Sequence, residues 1–104
     1  MAGNNDYVRI KKLVLDVLKP RDPPIYELAS RLAECRGVSD VDINLAEIDQ
    51  RTETIKVSLE GDGIDINEVK RCIEDLGASV QSFDEVRVSK ELLERGPASG
   101  DNAT

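Results

Sequence analysis

Histidine is absent from the 104 residues, and tryptophan is absent with it. The first absence removes the commonest general base and the commonest transition-metal ligand together. Catalysis would have to fall to carboxylates, lysines or cysteines, so an enzyme is not expected. Aromatic residues number three, Tyr7, Tyr26 and Phe83, which leaves the core to aliphatic side chains. Cysteines number two, Cys35 and Cys72. That is too few for a disulfide framework, they do not form a C-x-x-C pair, and they read as reduced thiols of a cytoplasmic protein. No apolar run approaches the roughly 20 residues that span a bilayer, and the polar MAGNND start does not read as a secretory signal. A basic excess is lacking too. With a net charge of −7 the chain has no clustered cations to hold phosphates, which argues against nucleic-acid partners.

Charge and aliphatic periodicity are what the chain does have. Residues 8–18, VRIKKLVLDVL, open with alternation and pass into an apolar run, as a central strand would. Leu13, Leu15 and Val17 then share one face, and Val14, Asp16 and Leu18 the other. Ile25, Leu28, Leu32 and Cys35 fall three and four apart and predict an amphipathic helix that ends at Gly37. Val41, Ile43 and Leu45 alternate before the phase breaks at Ala46 and Ile48, where a bulge fits. DQRTE forms a turn, Ile55, Val57 and Leu59 alternate through a third strand, and EGDGI reads as a flexible joint. Asp65 and Glu68 have capping-box spacing, ahead of a stripe of Ile66, Val69, Ile73 and Leu76 that stops before Gly77. SVQSFDEVRV supplies a last, irregular strand.

The order βαββαβ predicts an α+β, ferredoxin-like sandwich: a four-stranded antiparallel sheet with both helices on one face. CRGVSDV and DLGASVQ, each with a helix-ending glycine, lie forty residues apart and suggest a duplicated unit. That offset equates Cys72 with core Leu32 and leaves Cys35 partly buried at a helix end. The domain is placed at 7–89, between a flexible 1–6 start and a 90–104 tail that adds at most one helical turn.

LKPRDPP (18–24) occupies the first strand–helix joint, where related folds hold metal through a cysteine pair or phosphate through glycine amides. Prolines at 23 and 24 remove two amide donors, and Asp22 adds negative charge, so an anion site is disfavoured there. Pro24 is expected at the first helical position and Pro23 just outside it.

Asp16, alone inside LVLDVL, reads either as a cross-strand partner of Lys56 or as part of a subunit interface or cation site. Glu47, Asp49 and Glu53, with Asp84 and Glu85, offer the oxygens that a hard cation such as calcium wants, but without EF-hand spacing. Val14 and Leu18 on the uncovered face, and Val86 and Val88 on an edge strand, are the candidate interface.

LVLDVLKP (13–20), GVSDVDINLAEID (37–49), TETIKVSLEGDGIDINEV (52–69) and LGASVQSFDEV (76–86) together resemble a small archaeal family, domain of unknown function 211. The match covers most of 10–88 and leaves the first six residues and the 90–104 tail outside. The resemblance implies a ferredoxin-like fold and ring-like homo-oligomers, some with bound divalent cations, with no established activity. GVSDV also resembles the helix-to-strand joint of amino-acid-sensing ACT domains, although the glycine usual at their first joint is replaced here by prolines. A non-catalytic homo-oligomeric assembly module is therefore the leading expectation. A small-molecule-sensing domain and a calcium-binding protein are the alternatives.

Overall fold

The computed structural model describes residues 6–92, and side chains from 7 to 90. The chain runs β1 (Asp6–Pro20), α1 (Ile25–Ala33), β2 (Val38–Ile48), β3 (Thr52–Gly61), α2 (Ile66–Asp75) and β4 (Ser79–Leu92). All strand pairs are antiparallel, in the order β2-β3-β1-β4, so β2 and β4 are the edges. This is the ferredoxin-like sandwich. β1 begins one residue before the expected domain limit and β4 ends three residues after it, so that Lys90 to Leu92 continue the strand where a helical turn was anticipated. The remainder of the expected tail, and residues 1–5, lie outside the described residues.

Alternation in the two central strands builds the core. Leu13, Leu15 and Val17 of β1 lie opposite Leu59, Val57 and Ile55 of β3, and all six are inaccessible to solvent. Leu28 and Leu32 of α1 join them with Val69 and Ile73 of α2, so both helices cover the same face. Each such aliphatic contributes about 2 kcal/mol by leaving water. The burial pattern also aligns the two halves with an offset of 41 rather than 40: Leu28, Leu32 and Cys35 correspond to Val69, Ile73 and Leu76. α1 is followed by one extra residue, Arg36, before its glycine, which is why counting back from the glycines equated Leu32 with Cys72.

The two helix ends differ accordingly. α2 closes with Gly77 left-handed at φ 84°, its amide donating to Glu74 and that of Ala78 to Ile73. α1 stops at Ala33, so Gly37 lies beyond the helix end rather than capping it. Its role is close approach. A Cβ on Gly61 would sit 1.8 Å from the Gly37 carbonyl oxygen, and one on Gly37, itself at φ 86°, 2.2 Å from that of Gly63. The EGDGI segment is accordingly no flexible joint. Asp62 N–H donates to Gly37 O at 2.8 Å, Gly63 N–H to Ile10 O at 3.0 Å, and Asp65 N–H to Arg36 O at 3.1 Å. Half of the capping box forms: Asp65 Oδ1 accepts from Glu68 N–H at 3.1 Å. Glu68 instead turns its Oε1 to Arg36 N–H at 3.2 Å, tying α2 to the end of α1.

Gly61→Ala should destabilise the fold by about 3 kcal/mol or more, because backbone rather than a mobile side chain stands in the way. Urea unfolding of the variant beside wild type measures it. Gly63→Ala serves as control: it meets only an arginine side chain at 3.3 Å and carries the φ penalty alone.

Candidate functional site

The first strand–helix joint is built around a buried cation. Lys19 continues the inward parity of Leu13, Leu15 and Val17, and its side chain is 1% exposed. Its ammonium donates to Pro20 O at 2.7 Å, to Arg21 O at 3.3 Å and to Pro23 O, and lies 2.9 Å from Glu53 Oε1. An ammonium has three hydrogens, so the fourth contact is electrostatic only, outside hydrogen-bond geometry. Arg21 reaches the other Glu53 oxygen at 3.7 Å, and its amide donates to Arg51 O at 3.0 Å. The prolines thus remove donors that would compete while leaving carbonyls free to converge on Lys19. Pro24 serves as the residue before the helix rather than its first residue, extended at ψ 158°, with its carbonyl accepting from Glu27 N–H.

Asp16 lies opposite Lys56, as parity predicted, and the two pair at 3.1 Å. Lys56 also holds Asp84 Oδ2 at 2.6 Å, while Ser82 donates to the other Asp84 oxygen at 2.7 Å. Hydrogen bonding to Asp84, then to Asp16, pushes the Lys56 pKa above its ordinary value. The same Lys56 bond, with that from Ser82, holds the Asp84 carboxyl below its ordinary value. The remaining candidate ligands are dispersed. Glu53 belongs to the Lys19 cluster on the helix face, Asp16 to the open face, and Glu47 and Asp49 are exposed at the far end of β2. Among the described residues no three acidic or cysteine side chains gather closely enough to hold a metal.

The apolar surface extends beyond Val14 and Leu18, of which Leu18 is 37% exposed. On the open face these two stand among Lys12, Asp16, Lys56, Ser58 and Glu85, and Lys12 pairs with Glu85 at 3.6 Å across the strands. Val86 and Val88 lie opposite Leu13 and Ile10, and Phe83 opposite Leu15, so all three sit on the helix side of β4. Register shifts at Lys11, Asp84 and Gln81 reset the parity of this strand pair, which alternation alone could not foresee. On the opposite edge Leu45 lies across from Ile55 and Ile48 across from Glu53, also on the helix side. Exposure is 43% for Phe83, 49% for Val86 and Val88, 45% for Leu45 and 57% for Ile48. Beyond Lys12, β1 pairs only with β4, forming a two-stranded ribbon that carries the exposed Val8.

The burial of the two cysteines is the reverse of expectation. Cys35 is buried and Cys72 half-buried, both as free thiols. Burial, reinforced by Cys72, Glu68 and Asp65, pushes the Cys35 thiol up to about 11.

These features define a small ferredoxin-like domain with an occupied first joint, a charged open sheet face and two apolar edges. The chain belongs to domain of unknown function 211, an uncharacterised ArCR group whose model matches residues 11–102. That match takes in nearly all of the 90–104 tail, which the quoted stretches had left out. An uncharacterised protein of Methanocaldococcus jannaschii is 40% identical over 85 residues, covering 82% of this chain and 88% of the relative. No helix among the described residues is long and apolar enough to cross a membrane.

Lys19→Met keeps the volume but strands Glu53 and three carbonyls, and should cost about 3 kcal/mol in urea unfolding; Glu53→Gln, which retains an acceptor, should cost less. Alkali provides a separate test. The folded chain holds the Cys35 proton more tightly than the unfolded one, so that contribution is complete below pH 9 and lost as pH rises through about 11. Melting temperature should fall over this interval, and Cys35→Ala should flatten the fall. The part that remains in the variant includes Lys56, whose raised pKa acts with the same sign.

Proposed function

We propose that the protein is a non-catalytic assembly module that forms a homo-oligomer through its sheet edges, β4 of one copy meeting β2 of the next. The observation that carries this reading is the pair of apolar strips, Phe83, Val86 and Val88 on one edge and Leu45 and Ile48 on the other, which the helices leave in water. Edges of 14 and 11 residues with apolar side chains invite pairing, and soluble proteins seldom leave them bare. A two-stranded ribbon is marginal by itself and gains from a neighbour. Two different edges make a head-to-tail contact, which closes into a ring when the rotation between subunits allows and otherwise grows into fibres.

Two observations weigh against small-molecule sensing at the first joint. Its carbonyls are engaged by Lys19, and the glycine amides that would approach a ligand are replaced by proline. A cation shared between copies would draw on Glu47 and Asp49 near the β2 edge; Asp16 and Glu53 already have lysine partners.

Multi-angle light scattering at micromolar concentration should give a mass of three or more times 11.5 kDa. Val86→Asp should reduce it to that of one chain with an unchanged far-ultraviolet spectrum. A monomeric wild type overturns the reading. Repeating the measurement with millimolar calcium and after chelation separates cation-dependent assembly from assembly by apolar contact alone.

A further inference from the structure

Beyond assembly, the two thiols occupy one place. Cys35 follows the end of α1, and its Sγ lies 3.9 Å from Arg31 O and 4.0 Å from Glu68 O. Cys72 stands one helical turn beyond Glu68 in α2, so the sulfur of Cys35 reaches the turn from which Cys72 projects. Both cysteines line a single recess of about 250 Å³ between the helices, open to solvent and edged by Arg31 and Arg71 together with Glu34, Glu68 and Asp75. They are free thiols, Cys35 at the margin of the core and Cys72 packed against it.

We propose that Cys35 and Cys72 are a reversible dithiol–disulfide pair, oxidised by exchange with a low-molecular-weight disulfide that enters this recess. Cys72, the more exposed, reacts first: its thiolate attacks one sulfur of the disulfide, forms a mixed disulfide and releases one thiolate. Cys35 then gives its proton to solvent, attacks the Cys72 sulfur and expels the second thiolate. The two protein thiols lose two electrons and two protons, and the small disulfide is reduced to two thiols. The order of events agrees with the environments of the two groups. Burial raises both pKa values; on Cys72 the Cys35 S–H and the Arg31 charge act downward against Asp75 and Glu68, whereas every influence on Cys35 acts upward. Once formed, the link ties the end of α1 to α2 across the α1–β2–β3 connection, adding a covalent tie to the Glu68 and backbone bonds already there.

The test uses the full chain equilibrated with mixtures of reduced and oxidised glutathione, then denatured, alkylated and weighed as the intact protein. The expected result is passage from two alkylated cysteines to none, with no glutathione retained and no covalent dimer. Dithiothreitol should restore both thiols. The oxidised chain should melt higher by on the order of 10 °C, because the link closes a long loop in the unfolded chain. Cys35→Ser should stop at the mixed disulfide on Cys72, and Cys72→Ser should gain glutathione much more slowly. The proposal is overturned if wild type keeps both thiols at oxidising ratios, retains glutathione, or links chain to chain. The wild-type measurement decides this even if a variant fails to fold, and it does not depend on oligomeric state.

Discussion

Helix length against strand length is the constraint from which the surface of this domain follows. α1 and α2 have nine and ten residues, about 15 Å each, whereas β1 has fifteen and spans roughly 50 Å. Two such helices can close over the middle of β1 and β3 and no further. Leu13, Leu15, Val17, Ile55, Val57 and Leu59 fall beneath them and are lost to water entirely. The same inward parity continues on the flanking strands, where Val41, Ile43 and Val80 still pack against the core but Leu45, Ile48, Phe83, Val86 and Val88 lie outside the helices' cover. Those five outer side chains of β2 and β4 are therefore an extension of the core that the single chain leaves exposed. A second chain would complete what longer helices would otherwise supply, and the area at stake lies at two edges rather than on the open face.

The open face is charged for a related reason. With no helix to pack on, its positions carry Asp16, Lys56 and Asp84 around a shared ammonium, and Lys12 beside Glu85. Such solvent-facing pairs contribute little to stability individually. They keep one side of the sheet wet. Lys19 shows the opposite regime. Its charge is enclosed, and the carbonyls left free by a proline-rich turn compensate its desolvation together with Glu53. In many folds of this architecture the first joint opens toward a ligand; here a lysine of the preceding strand fills that role.

Much of this was legible in the chain. The parity of LVLDVL placed Asp16 opposite Lys56, and the break at Ala46 marked a real register shift in β2, because alternation is faithful wherever one face is buried. The same parity, carried two residues further, puts Lys19 inside, a signal available in LVLDVLK but masked by the habit of reading lysine as surface. β4 was less readable because its bulges leave no continuous period, so its edge position could be read but not the face on which Val86 and Val88 lie. The acidic candidates could not be sorted by spacing at all. Glu53 and Asp16 look alike in sequence, and only the pairing of β1 with β3 sends one inward to Lys19 and the other outward to Lys56.

The glycines and cysteines share one cause. An extra residue after α1 shifts the first half by one position relative to the second, so Gly37 cannot cap its helix as Gly77 does. Freed from that task, it packs against Gly61 and Gly63, drawing the start of β2, the end of β3 and the entry to α2 to contact distance. That approach brings Glu68 within reach of Arg36, and Cys35 within reach of the Glu68 carbonyl and the turn bearing Cys72. The proximity of the thiols is thus a consequence of the glycine contact, and a side chain at Gly61 would separate the helix ends and the sulfurs together.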